Sequence, residues 1–178
     1  MIRYFIFINL TLYIFLSFNL NFSKAETGNQ EKLKIFTGKW KDKCFEKSEN
    51  SKKYCLLERG MFLDKKSEKR VITMIFRTSE STSDVLLTII SPLGTLIPKG
   101  FNVSLDNKPL NDKDKPYGFS HCTQNGCFTN IRIKKEKIQS FKKTKALNLV
   151  YTLPNQQPLD INLNLNGFAE AFTKITKF

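Results

Sequence analysis

The stretch Leu147–Leu165, LNLVYTLPNQQPLDINLNL, decides the fold. Leu147, Leu149, Tyr151 and Leu153 alternate with Asn148, Val150 and Thr152, and the pattern returns in Leu159, Ile161, Leu163 and Leu165. A period of two places each set of side chains on one face of a strand. Between the runs, Pro154 and Pro158 enclose Asn155, Gln156 and Gln157, a loop composition. The stretch therefore reads as a β-hairpin with one buried face.

The same grammar recurs towards the N-terminus. Trp40–Phe45 and Tyr54–Leu63 read as two strands around the polar loop 46–53, and Arg70–Thr78 is rich in β-branched and aromatic residues. Asp84–Ser91 holds the nearly continuous apolar run Val85-Leu86-Leu87-Thr88-Ile89-Ile90, expected to be a strand buried on both faces. Pro92-Leu93-Gly94 and Pro98-Lys99-Gly100 punctuate the chain before a strand at Phe101–Leu105 and a turn at Asp106-Asn107. Cys127, Thr129, Ile131 and Ile133 share one face of a further strand. Two segments break the pattern. Ile138 and Phe141 lie three apart among the lysines of Lys134–Lys143, the spacing of a short amphipathic helix. Gly167–Ile175 reads as a small helix or extended tail whose Phe168, Phe172 and Ile175 cap the core. The expected class is all-β: an antiparallel β-sandwich, or alternatively a partly open β-barrel, with one or two short helices near the C-terminus.

The N-terminus speaks to location. Arg3 precedes a largely apolar run from Tyr4 to Leu20, and Ser23 and Ala25 supply small residues at a cleavage point before Glu26. That order is the order of a secretory signal peptide. A run of this length could also anchor the chain in a bilayer, but the small-residue site and the polar sequence after it favour removal. The expected organisation is a leader over residues 1–25, a polar lead-in over 26–34 and one β domain over 35–178, with no stable membrane span after cleavage near Ala25 and a periplasmic or secreted location. Cleavage removes Arg3 and Lys24 from the 29 basic residues and leaves 27 against 16 acidic ones, a net charge of +11. Such a charge points to an anionic partner, an envelope component or an acidic protein. The basic residues are scattered, from Lys32, Lys34, Lys39, Lys41, Lys43, Lys52 and Lys53 to the group between Lys134 and Lys145. No base-stacking motif accompanies them, so nucleic acid is not expected.

The chemistry is sparse. One histidine, His121, excludes a zinc site of several imidazoles, and no nucleophile-elbow, dinucleotide or phosphate-loop motif occurs. Glu46 and Glu49 lie in a lysine-rich loop and read as solvated rather than catalytic. The four cysteines, Cys44, Cys55, Cys122 and Cys127, allow three pairings. In an oxidising compartment an even count argues for two disulfides, and the sequence-local pairs Cys44–Cys55 and Cys122–Cys127 are favoured. By loop entropy the two rings stabilise by about 3 and about 2 kcal/mol. A redox pair would want Cys-x-x-Cys at a helix N-terminus, where the chain has Cys-x-x-x-x-Cys among strands. A zinc site from the cysteines and His121 would want shorter spacing in the first pair. The second pair closes a tight loop around Asn125-Gly126, a dipeptide that readily takes the positive φ of a hairpin turn. His121 reads as a partly exposed loop residue.

These residues form an order: Gly38-Lys39-Trp40, Cys44 and Cys55, then Ser91-Pro92-Leu93-Gly94-Thr95-Leu96-Ile97-Pro98-Lys99-Gly100, then Cys122-Thr123-Gln124-Asn125-Gly126-Cys127, closing on Asn166-Gly167-Phe168. The chain in this respect resembles the invasion-associated locus B (IalB) family of exported alphaproteobacterial proteins, over roughly residues 35–175. The resemblance implies a small periplasmic or secreted β domain and a family link to host-cell invasion. It does not imply an established catalytic site, and because the residues show no catalytic constellation, metal site or cofactor motif, the expected function is non-enzymatic binding with no metal and no cofactor. The rival reading is a periplasmic thiol–disulfide protein or a carboxylate hydrolase.

Overall fold

A computed structural model describes residues 35–46, 53–64, 70–111 and 115–176. The expected leader and lead-in, Glu49 and most of the loop after Phe45 lie outside the described residues. Leu33–Phe178 form one compact unit.

Among the described residues eleven strands and two α-helices follow in chain order, with a 3-10 turn at Ile97–Lys99. They are β1 (Phe36–Thr37), β2 (Lys41–Phe45), β3 (Tyr54–Phe62), β4 (Arg70–Ser79), β5 (Thr82–Ser91), β6 (Phe101–Leu105), β7 (Lys108–Pro109), β8 (His121–Thr123) and β9 (Gly126–Ile133). Then come α1 (Lys135–Lys143), β10 (Ala146–Thr152), β11 (Pro158–Asn164) and α2 (Phe168–Ile175). Every named strand pair is antiparallel. The larger sheet runs β1-β3-β4-β5-β9-β8, with β2 also on β3, and the smaller runs β11-β10-β6-β7. Two open sheets packed together make a sandwich and no closed barrel.

The opening hairpin forms as its alternation dictates. β10 and β11 pair from Ala146↔Asn164 to Thr152↔Pro158, and Leu147, Leu149, Tyr151, Ile161, Leu163 and Leu165 are buried. They meet Leu57, Met74, Phe76, Leu87 and Ile131 of the larger sheet in one core. Both C-terminal segments are helical because each closes this core with an apolar stripe. α1 buries Ile138 and Phe141, and α2 buries Phe168, Phe172 and Ile175. Phe76 is the hub, with ring centroids 4.8 Å from Phe168, 5.7 Å from Phe141 and 6.1 Å from Trp40.

Two expectations need correction. The strand 84–91 begins at Thr82, and it is not buried on both faces. Val85, Leu87, Ile89 and Ser91 are buried, while Leu86, Thr88 and Ile90 are only half-buried. The smaller sheet and the two helices cover one face of the larger sheet, so the other meets solvent. Asn125-Gly126 also does not supply two positive-φ residues. Thr123 pairs with Gly126, leaving Gln124 and Asn125 as the turn, and of these four only Gly126 has positive φ, at 128°. The positive-φ pair is Asp106-Asn107, at 44° and 66°, between β6 and β7. That is the signature of a primed two-residue hairpin turn.

Tyr151, 1% exposed, stacks on Phe101 at 5.6 Å. Burial pushes its phenol pKa up to about 12. The unfolded chain releases this proton first, near pH ~10, so stability falls as pH rises from about 10 to about 12. Tyr151→Phe is expected to lack this part of the alkaline loss, read from denaturant midpoints of both proteins at about pH 8 and about pH 11.

Candidate binding surface

The cysteines pair as the local reading favours. Cys44 lies opposite Cys55 across β2 and β3, and Cys122 opposite Cys127 across β8 and β9, each bonded and each with Cα atoms 4.0 Å apart. In each pair one half is buried (Cys55, Cys127) and the other exposed. His121 is an exposed strand residue rather than a loop residue, stacked on Phe128 at 4.6 Å and 7°. Neighbours in a strand point to opposite faces, so its imidazole and the Cys122 sulfur diverge. Glu46 is exposed. Among the described residues no group of three or more His, Cys, Asp or Glu could hold a metal ion.

The other recurrent motifs hold the fold. Arg59 reaches from β3 to the segment before β2 and to the end of β11 and beyond: its Nε donates to Gly38 O at 2.8 Å, and one terminal nitrogen to Asn164 O at 2.8 Å and Asn166 O at 3.3 Å. The guanidinium lies 4.8 Å over the Trp40 ring, whose Nε1 donates to Asn166 O at 3.1 Å. Burial lowers the Arg59 pKa. The Gly-x-Trp opening and the Asn-Gly-Phe finish are thus two halves of one clasp. In the middle motif, Leu96 N donates to Thr152 O at 2.8 Å, and Thr95 Oγ1 donates to Pro92 O at 2.8 Å. Gly100, at φ 69°, presses on Tyr117, whose carbonyl oxygen would lie 2.7 Å from an added Cβ.

The outer face of the larger sheet has a different character. Across β2, β3, β4, β5 and β9 the register aligns Lys43, Leu56, Arg77, Leu86 and Arg132 in one row. Cation and aliphatic side chain alternate along it, and strands about 4.8 Å apart put successive cations about 10 Å apart. Half-buried Ile75, Ile90 and Phe128 extend the apolar part on the same face. The polar members are tied locally: Thr88 Oγ1 donates to Asn130 Oδ1 at 2.8 Å, Asn130 Nδ2 bonds Ser120 Oγ at 3.1 Å, and Glu58 is paired with Arg70. Arg77 and Arg132 are exposed and make no ion pair among the described residues. They flank Leu86 in an open groove of about 500 Å³ that Tyr54, Ser79 and Ser81 also line, with one acid, Asp84. Tyr54 stacks on Phe45 at 5.1 Å, and the Lys43 ammonium lies 4.8 Å from that ring's centroid.

On the other side of the β4–β5 hairpin a second open cleft, about 480 Å³, is lined by Lys135, Gln139 and Lys142 of α1 together with Ser83 and Thr176. The lysine group expected between residues 134 and 145 therefore adjoins the arginine groove. The loops at the opposite end of β5 and β9 are almost uncharged: residues 92–100 contain Lys99 alone, and there Leu93 and Ile97 are 60% and 47% exposed. Along β5 and β9, charge is thus greater at the end that holds the arginine groove.

Sequence reading missed Arg77 and Arg132 as a pair. Each sits at an outward position, between Phe76 and Thr78 and between Ile131 and Ile133, so its orientation was legible. Their placement on either side of Leu86 depends on register, which is not.

Known proteins agree with this architecture. No curated protein matches the chain. The crystal structure of invasion associated protein B from Bartonella henselae is similar, with a TM-score of 0.63 and 21% sequence identity over 79% of this chain and 95% of that one. The family model "Invasion associated locus B (IalB) protein" matches residues 40–176, from Trp40 of the clasp to the residue after α2. The chain belongs to the IalB family.

Proposed function

We propose that the protein is an exported, non-catalytic binding protein, periplasmic or secreted, that engages an anionic component of the envelope or an acidic protein. The observation that carries this reading is the pair of arginines, Arg77 and Arg132, that make no ion pair among the described residues and face solvent across Leu86 in a shallow groove. Guanidinium groups bind phosphate and carboxylate through paired hydrogen bonds, and partnerless ones are free to do so. One further feature supports it: the cross-strand disulfides suit an oxidising compartment. The family's association with invasion fits a binding role of this kind.

The test is capture from envelope extracts by the immobilised protein, compared with Arg77→Gln/Arg132→Gln. Bound material should elute as salt rises through the physiological range, because exposed charge pairs are screened, and the double variant should retain little of it. Salt-resistant capture, equal for both proteins, would refute the reading.

A further inference from the structure

We infer that the outer face of the larger sheet docks on the surface of an anionic lipid bilayer. This deepens the anionic-partner reading above and rests on it. A soluble anion or an acidic protein segment needs cations. It gives no reason for a row in which Leu56 and Leu86 fill every place between Lys43, Arg77 and Arg132. An antiparallel sheet with one covered face ordinarily shows polar residues on the other, and Leu56, Ile75, Leu86, Ile90 and Phe128 depart from that together.

A lipid surface accounts for both halves of the pattern. Its phosphates meet the guanidinium and ammonium groups, while the aliphatic side chains and the methylene stems of Arg and Lys meet the boundary beneath the headgroups. The row spans about 19 Å over five strands, enough to touch several lipids at once. At one end of it stands the stacked pair Phe45 and Tyr54, with an apolar body and, in Tyr54, a hydroxyl. Such rings favour the headgroup level. The acids on this face do little to oppose docking: Glu58 is neutralised by Arg70, and Asp84 sits at the hairpin end of the groove. The contact is peripheral, since the apolar side chains are half-buried among their neighbours on the sheet face.

The experiment is co-sedimentation of the purified protein with vesicles of mixed phosphatidylglycerol and phosphatidylcholine, against phosphatidylcholine alone. Only the anionic vesicles should bring the protein down. Each basic residue near an anionic surface strengthens binding about fivefold, so Arg77→Gln/Arg132→Gln should weaken it about 30-fold. Leu86→Ser keeps the charge and should weaken vesicle binding several-fold while leaving binding to soluble polyglutamate unchanged. Lys142→Gln/Lys143→Gln on α1 should do less than the arginine variant. Thermal unfolding of each variant confirms that it is folded. Vesicle binding indifferent to Leu86→Ser, or equally lost in the α1 variant, overturns the assignment. No vesicle binding by a protein that still captures an acidic protein in low salt overturns the lipid surface and leaves the anionic-partner reading standing. Failure of both overturns both.

Discussion

Replacing Gly126 with alanine is expected to cost a large share of the protein's stability. Gly126 begins β9 beside the second disulfide, with φ at 128°, and an added Cβ would lie 2.3 Å from Ser91 O and 2.9 Å from Ile90 Cγ2. Ser91 and Ile90 belong to β5, whose pairing with β9 runs from Val85↔Ile133 to Ser91↔Cys127. The hairpin must therefore lift away or the central ladder must open. Strain at such a φ costs about 1–3 kcal/mol, and overpacking against backbone adds about as much. A total loss near 4 kcal/mol is a large share of the roughly 10 kcal/mol that holds a domain of this size. Denaturant midpoints measure it, with Gly118→Ala as the control. An added Cβ at Gly118 meets nothing within 4 Å, and that variant should unfold like the parent.

The second large effect is expected at Arg59. Arg59→Met keeps the aliphatic stem and removes the donors to the Gly38, Asn164 and Asn166 carbonyls together with the cation over Trp40. Hydrogen bonds from a charged donor contribute about 1.5–3 kcal/mol each, less where solvent reaches them. The expected loss is about 3 kcal/mol. Arg59→Lys should recover only a minor part, because one ammonium cannot serve carbonyls lying in two directions and stack on a ring as well. Trp40 is the chain's single tryptophan, so its fluorescence reports the clasp directly and should shift in both variants before global unfolding.

These two positions show where sequence reading succeeds and where it stops. Period-two alternation was enough for the β10–β11 hairpin, because half of each strand faces a core and half does not. The three-residue spacing of Ile138 and Phe141 was enough for α1, whereas Gly167–Ile175 read equally as a helix or an extended tail, and its packing of Phe168, Phe172 and Ile175 on the core makes it the helix α2. The two- and three-residue strands β1, β7 and β8 were not separable from loops, since two residues define no period. The run 84–91 misled for a physical reason. Continuous apolarity ordinarily means burial on two faces, yet Leu86 and Ile90 face outward, where the candidate surface lies. Both disulfides were legible because compartment and local spacing leave one favoured pairing. Arg59 and the Arg77–Leu86–Arg132 row were not. Their partners stand far off in sequence, and only the register and the closing of the two sheets bring them together.

The most direct measurement of the binding surface is photo-crosslinking in intact cells. A photoreactive residue is placed either at Leu86, between the two arginines, or at Val150, on the outer face of the smaller sheet. The Leu86 probe should label an anionic envelope component, lipid first, and lose it when salt is raised, while the Val150 probe labels nothing in common with it. Equal labelling from both positions, or none from Leu86, would contradict a binding role for this face.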